Sequence, residues 1–265
     1  MKSVQTDPYL WRHMSDLPYF RAMLRAVEDR FYQDINLPGP VLDVGCGDGH
    51  FASKTFIKPL DVGLDPWSVP LKEARNRACY RMVLQADGTH MPFPDGYFAS
   101  AVSNSVLEHI PPVDEVLAEI ARVVRPGGRF VFCVPNDRFT KRLRGTEILG
   151  GLGLKDAGRA YSRFFNRISR HAHTDSPSGW RARVTKAGFK VEKAWEYFNP
   201  QALHVLEAGH FFGLPSLFAR KVTGRWILWK SPLNLWLPWL ITHRHVEHPI
   251  NPEGVYSFYI TRRKA

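Results

Sequence analysis

One glycine-rich turn and two later carboxylates are the groups whose types and spacing in this chain point to chemistry. The turn is Asp43-Val-Gly-Cys-Gly-Asp-Gly49, which follows the apolar run beginning at Val41 and leads into the helix-compatible stretch HFASKTF. Glycine lets a backbone turn tightly and meet a ligand without an intervening Cβ, and the first N–H groups of the next helix are available to a carboxylate. Asp65 closes the next apolar run, DVGLD, where a carboxylate accepts both hydroxyl protons of a ribose. Asp87 closes the run after that, RMVLQAD, in place to accept from an exocyclic amine such as that of adenine. With Asp43, the expectation is three successive strand ends carrying acidic groups toward one edge.

Positioning such groups requires strands that alternate with helices. VLDVGC (41–46), DVGLD (61–65), RMVLQAD (81–87), FASAVSN (98–104) and RFVFCV (129–134) are short β-branched or aromatic runs. HFASKTF, VPLKEARNR and VDEVLAEIARVV lie between most of them, a βαβαβ pattern that predicts a parallel sheet, and MPFPDG reads as a loop. The helix over 112–124 is the best marked, with Pro111 and Pro112 at its start, Asp114 and Glu115 in its first turn and Arg122 and Arg125 near its end. Farther on, SPSGWRARVTKAGF predicts a helix, KVEKAWEYF a strand and VYSFYITRRK a last strand. Before all of these, residues 17–33 place Tyr19, Phe20, Met23, Leu24, Val27 and Phe31 near a 3.6-residue period, an amphipathic helix.

The chain has 265 residues, 44% of them hydrophobic and 23% charged, which fits one α/β domain over 1–265 and excludes a mainly disordered protein. Thirty-six Lys and Arg against 25 Asp and Glu give a formal charge of +11, which favours anionic partners in the encounter without choosing among RNA, acidic lipid and phosphorylated small molecules. Cys46, Cys79 and Cys133 are widely spaced and form no CxxC, so neither a disulfide framework nor a metal site is expected. The opening residues lack an apolar signal core and no stretch reaches the ~20 apolar residues of a membrane span, so a cytoplasmic location is expected.

VLDVGCGDGHF, VGLDPW, LQADGTHMPFPDGYFASAVSNSVLEHI and ARVVRPGGRFVFCVPN together resemble the successive motifs of the class I S-adenosylmethionine-dependent methyltransferases, of the small-molecule type called methyltransferase-11. The resemblance covers about 41–136, and more weakly 176–198. It implies a Rossmann-like, doubly wound α/β fold: a mostly parallel seven-stranded sheet with an antiparallel last strand and helices on both faces. It implies S-adenosylmethionine as cofactor and S-adenosylhomocysteine as product. The family pattern puts Asp43, Gly45, Cys46 and Gly47 around the methionine portion. It places Asp65 on the ribose, Pro66 and Trp67 near the adenine, and Asp87 on the adenine amine with Ala86 and Gly88 adjacent. Ser103 and Asn104 border the methionine and the methyl. His109 lies one turn beyond, and by their chemistry His109, His171 and His173 are the candidate bases; packing of the loop is the other reading of His109, and Trp67 could equally pack on the next helix. A dinucleotide is the rival cofactor, but its fingerprint wants a later third glycine where this chain has His50.

Two segments interrupt the alternation, 137–175, rich in Arg, Gly and His, and 200–254, rich in Trp, Phe, Leu and Pro. They are expected to build the acceptor pocket or lid, with 1–36 as an N-terminal helical cover over the cofactor. Trp226, Trp229, Trp236 and Trp239 interspersed with Arg220, Lys221, Arg225 and Lys230 have the composition of an interfacial helix. The expected acceptor is therefore a small or lipid-like molecule, with peripheral membrane contact through 203–241; the other reading is that these aromatics cover the sheet. Ser103-Asn104-Ser105-Val106 lacks the Asn/Asp-Pro-Pro-aromatic run of base-amino methylation, which disfavours that reaction on nucleic acid. The alternatives are methylation of RNA at another position and a protein that binds the cofactor without transferring its methyl group.

Overall fold

The computed structural model describes residues 8–265, apart from the side chains of residues 214 and 215; the first seven residues of the expected N-terminal cover lie outside the described ones. The chain divides into two compact units, one containing residues 34–138, 165–195 and 256–265, the other the described part of 1–33 with 139–164 and 196–255.

The first unit is built on a sheet. Its strands are β1 Val41–Val44, β2 Leu60–Asp65, β3 Tyr80–Gln85, β4 Phe98–Asn104, β5 Val124–Pro135, β6 Phe189–Tyr197 and β7 Tyr256–Arg263, in the order β3-β2-β1-β4-β5-β7-β6. The first five pair in parallel and β7 runs antiparallel to β5, which is the expected class I arrangement. β1 and β4 are buried at every position, as near-continuous apolar or small runs in the middle of a parallel sheet should be, while β3 at the edge is largely exposed or half-buried. The chain winds outward from β1 to β3 and then resumes on the other side with β4, so β1 and β4 are neighbours out of sequence, with Asp43 opposite Val102. The loops after such a pair diverge and open a crevice at their carboxyl ends.

The helix Val113–Val123 turns Val113, Val116, Leu117 and Ile120 into one apolar cluster with Trp180 and Val184 of the helix Pro177–Lys186 and with Leu42, Phe98, Phe130 and Phe132 of the strands. Each such side chain contributes on the order of 1.5–3 kcal/mol on burial. Two boundaries differ from expectation. β5 starts at Val124 rather than 129, because Phe98 pairs with Val124 and Ser100 with Arg129, leaving Arg125–Gly128 to bulge with Gly127 at φ +75°. β3 ends at Gln85, so Asp87 is not the strand's last residue but sits in the following loop. That loop is braced from below: the Arg122 guanidinium donates to the carbonyls of Met91 and Phe93, each at 2.9 Å, and Glu119 accepts from Met91 N–H at 2.9 Å.

The second unit is helical. Tyr19–Tyr32 buries Phe20, Met23, Leu24 and Val27 on the face its periodicity predicts, and it also buries Glu28 and Asp29. Both acids are partnered, Asp29 by His13 at 3.1 Å and Glu28 by the Tyr197 hydroxyl at 2.9 Å. The two segments that interrupt the alternation meet in this unit. Glu207, on the helix Pro200–Phe212, accepts from the N–H groups of Arg144 and Gly145 at 2.6 and 3.0 Å and from the Tyr161 hydroxyl at 2.5 Å. A buried carboxylate thus satisfies the unpaired donors at the start of the helix Arg144–Gly151. Glu207→Gln, which puts an amide donor among these donors, should lower stability by about 2–3 kcal/mol. Its effect should appear as earlier proteolysis within 139–164, and unchanged urea unfolding would contradict the capping role.

Candidate functional site

The site is assembled where β1, β2 and β4 end. After β1, Gly45, Gly47 and Gly49 all take positive φ, at +78°, +54° and +71°, and Gly49 precedes the helix His50–Thr55. The N–H groups of Gly45 and Cys46 both donate to the Leu64 carbonyl, at 2.8 and 3.0 Å, so the turn is sewn to β2 as it leaves the sheet. Two of the glycines serve different purposes. A Cβ on Gly45 would lie 2.2 Å from a methyl carbon of Val106, so its bareness lets the turn close against the segment after β4. A Cβ on Gly47 would meet nothing within 4 Å, so this position is bare toward open space, where a ligand can approach the backbone.

Asp65 governs the turn from β2. One carboxylate oxygen accepts from Gly47 N–H at 3.0 Å and the other from Trp67 N–H at 2.9 Å. Burial raises its pKa, against the pull of these two N–H donors. Trp67 does not pack on the next helix: it is 72% exposed and leaves its ring bare beside Asp65. Pro66 accepts from the Gln85 amide at 3.1 Å, and Ala86 N–H donates to the Asp65 carbonyl at 3.3 Å, which holds the end of β3 against the same corner.

Asp43 and Asp87 are less alike than their spacing implies. Asp43 is buried, 6% exposed, and its carboxylate accepts a hydrogen bond from the Tyr80 hydroxyl at 2.6 Å, a partner on β3 that the sequence pattern does not reveal. Burial pushes its pKa to about 7; the Tyr80 hydrogen bond opposes the rise and the nearby Asp65 charge adds to it. Asp87 is exposed, folded back on Thr89 N–H and hydroxyl at 2.9 Å each, and these bonds hold its carboxyl below the ordinary value. The three carboxylates therefore do not face one edge as equals. Gly88, next to Asp87, passes close to the helix Val113–Val123, where a Cβ would lie 3.3 Å from Val116. Cys46 keeps its thiol protonated, since burial drives its pKa upward, and the sulfur packs where a Cβ on Gly63 would be 3.0 Å away.

At the end of β4 the side chains turn into the sheet. Ser103 donates to the Val44 carbonyl at 3.0 Å and Asn104 accepts from the Cys133 thiol at 3.1 Å. They lock β4 to β1 and β5, and Ser105, at φ +51°, turns the chain out into the next segment. His109 ends the short helix Leu107–His109 and is not a solitary histidine. Its Nδ1 donates to the Arg170 carbonyl at 2.9 Å, Nε2 stands 3.7 Å from the buried Glu108 carboxylate, and its ring lies 5.4 Å from that of His171. The Glu108 carbonyl accepts from the N–H groups of Ala172 and His173 at 2.7 and 3.0 Å, which pins the distant segment here. Glu108 is a site neighbour that sequence reasoning missed; His171, a candidate base by its chemistry alone, is brought beside His109 from 62 residues away. The ligand atoms of Glu108, His109 and His171 lie within 4.8 Å of one another, and this is the one such trio among the described residues. Those donor types would suit a divalent ion, but a proton on an imidazole satisfies the same carboxylate.

A family model described as "Methyltransferase domain" (Methyltransf_11) matches residues 42–132. A fatty-acid O-methyltransferase of Mycolicibacterium smegmatis is 39% identical over 105 residues, 37% of this chain and 38% of the relative. A ubiquinone/menaquinone biosynthesis C-methyltransferase, UbiE, of Cupriavidus pinatubonensis is 32% identical over 184 residues, 62% of this chain and 73% of the relative. The chain thus spans well under half the length of the first and about three quarters of the second. Among solved structures, a SAM-dependent methyltransferase of Thermotoga maritima described as a possible histamine N-methyltransferase superposes with a TM-score of 0.58 at 16% identity, covering 93% of this chain and 92% of that one.

Two outcomes follow from the geometry. Gly45→Ala, with its Cβ driven into Val106 at positive φ, should cost about 2–4 kcal/mol in urea unfolding, whereas Gly47→Ala should cost only about 1 kcal/mol. In calorimetry with S-adenosylmethionine the order should reverse, Gly47→Ala weakening binding disproportionately to its stability; equal effects would refute the division. For Asp43 the folded pKa lies above the ordinary 3.8, so the stability advantage of its protonated form is complete below about pH 4 and lost as pH rises through about 7. The wild type should lose stability relative to Asp43→Asn across that window, and parallel pH profiles would show that the carboxyl titrates normally.

Proposed function

The chain belongs to the class I S-adenosylmethionine-dependent methyltransferases, and on that premise we propose that it methylates a small, lipid-like acceptor, leaving S-adenosylhomocysteine. The observation that carries this reading is the Gly47 position: a positive-φ backbone open to solvent beside the Asp65 carboxylate, at the reversal of strand order. Asp65 accepts from the ribose hydroxyls, the exposed Trp67 ring with Pro66 covers the adenine, and Asp87 with Ala86 and Gly88 receives its amine. The turn from Gly45 through Cys46 to Gly47 cradles the methionine portion, bordered by the backbone at Ser103 and Asn104. Asp43, buried behind the turn, acts through space as a counter-charge.

When bound, the cofactor supplies a methyl group on a sulfonium, already electrophilic enough that no covalent intermediate with the protein is required. The chain's part is to hold the acceptor nucleophile in line with it and to exclude water. For a hydroxyl acceptor a base must also take the proton. His109 fits that role: with its Nδ1–H engaged by the Arg170 carbonyl, Nε2 carries the lone pair, and Glu108 nearby stabilises the imidazolium that forms. The fatty-acid and quinone chemistry named for the two relatives supports a lipid-like acceptor, as does the apolar surface of the helical unit.

The test is product formation. Purified protein supplied with methyl-labelled S-adenosylmethionine and separate lipid, polar small-molecule and RNA fractions should label the lipid fraction. Asp65→Ala should weaken cofactor binding by about tenfold or more, since it removes charge-assisted hydrogen bonds. Label in RNA alone would replace the acceptor assignment, and tight binding without transfer to any fraction would reduce the protein to a cofactor-binding role.

A further inference from the structure

The helix Pro232–Glu247 is apolar on two opposite sides, and only one of them is used. Leu235, Trp239, Thr242 and Val246, spaced four, three and four apart, are buried, and the helix packs on Tyr19–Tyr32 within the helical unit. Leu233, Trp236, Leu237, Leu240 and Ile241 follow the same helical period on the other side and are exposed, Leu233 at 86%. The stripe does not stand alone. In the preceding stretch Phe212, Phe218, Val222, Leu228 and Trp229 are each exposed by more than 60%. Of the four tryptophans that could have covered the sheet, only Trp239 is buried. Large apolar side chains exposed in this number within one stretch of chain are the composition of an interaction surface.

The charge of the same stretch selects the occupant. Between Glu207 and Glu247 there is no acidic residue, while Arg220, Lys221, Arg225, Lys230 and Arg244 are all present; of these, Lys230 is already paired with Asp16. A second copy of the chain would bring this one-signed surface against itself. One of these cations, Arg220, stands 5.1 Å from the Trp226 ring, and Arg21 of the helix Tyr19–Tyr32 stands 5.6 Å from it, leaving the ring flanked by positive charge. Tryptophan rings at headgroup level, aliphatic and phenyl groups below them and cations above are what an anionic lipid surface binds. No helix of the described residues is long and apolar enough to cross a bilayer, so such a surface would meet a membrane from outside.

We propose that residues 211–244 form a membrane-docking surface that seats the protein on anionic phospholipid. The proposal deepens the lipid-like acceptor reading, on which it rests for its purpose: an amphiphilic acceptor resident in the bilayer meets an enzyme already at its surface. The docking itself needs neither cofactor nor acceptor.

Vesicle cosedimentation without cofactor tests it. The full chain should bind phosphatidylcholine vesicles containing phosphatidylglycerol at least about tenfold better than pure phosphatidylcholine in about 0.1 M salt, the margin shrinking at about 0.5 M. Brominated lipid should quench tryptophan fluorescence. Because the side chains are exposed, Phe218→Ser with Trp229→Ser and Trp236→Ser should keep the unfolding midpoint and abolish the quenching, and Lys221→Glu with Arg225→Glu should remove the preference for anionic vesicles. Absence of vesicle binding would overturn the proposal, as would a concentration-dependent dimer that the serine variants dissociate while vesicles leave it intact. Calorimetry with S-adenosylmethionine separates the two readings: a chain that binds cofactor but no vesicle loses only this inference, and one that binds vesicles but no cofactor loses the enzymatic site.

Discussion

The absence of a side chain at Gly45 is the constraint from which the site follows. With Val106 packed where a Cβ would be, the segments leaving β1 and β4 touch, although 60 residues separate them. That closure is available only because β1 and β4 are neighbours in the sheet, and they are neighbours because the winding reverses between them. The turn is then held from the other side by the Leu64 carbonyl and the Asp65 carboxylate, so its backbone is fixed by strands on both flanks before any ligand arrives. Pre-fixing a backbone in this way removes the ordering cost from binding.

How much of this was legible depends on whether the information is local. The strands β1, β2 and β4, the helix Val113–Val123 and the turn were readable because burial pattern, capping residues and glycine placement lie within a few positions of one another. β5 began earlier than its apolar run because Arg125–Gly128, which follow the helix, form a bulge whose existence depends on pairing with β4. The carboxylates were found by spacing, but spacing is blind to direction. Tyr80 claims Asp43 from a strand 37 residues on, and Thr89 claims Asp87 from within its own loop. Glu108 and His171 converge on His109 only through the folded path of the 165–173 segment, which no pattern in the chain announces.

The two departures from the strand-helix alternation show the same limit from another angle. Each looked like a separate addition, rich in Arg in one case and in Trp in the other. Glu207 joins them: its single carboxylate caps a helix in the first from a helix in the second. With that charge buried for structure, the stretch from 208 to 246 carries cations alone, of which Lys230 is paired with Asp16. The overall excess of +11 is thus unevenly placed, and its meaning lies in that placement.

Asp43 and Asp65 make the turn a place that prefers positive charge. Both are raised by burial, and the Asp65 charge contributes to holding Asp43 partly protonated near neutrality. Two buried carboxylates this close disfavour each other's ionisation, and the cost falls on the protein when nothing positive is bound. A sulfonium with its attached ammonium group reverses that balance, because each cationic centre favours the ionised acids. On the proposed placement of the cofactor, proton release on binding would be the thermodynamic counterpart, with affinity rising as Asp43 ionises toward and past pH 7. A neutral product lacking the sulfonium charge gains less from the same pair. In the proposed reading, the asymmetry by which the turn would bind its cofactor would also let the spent form go, and both would follow from burying an acid behind a glycine.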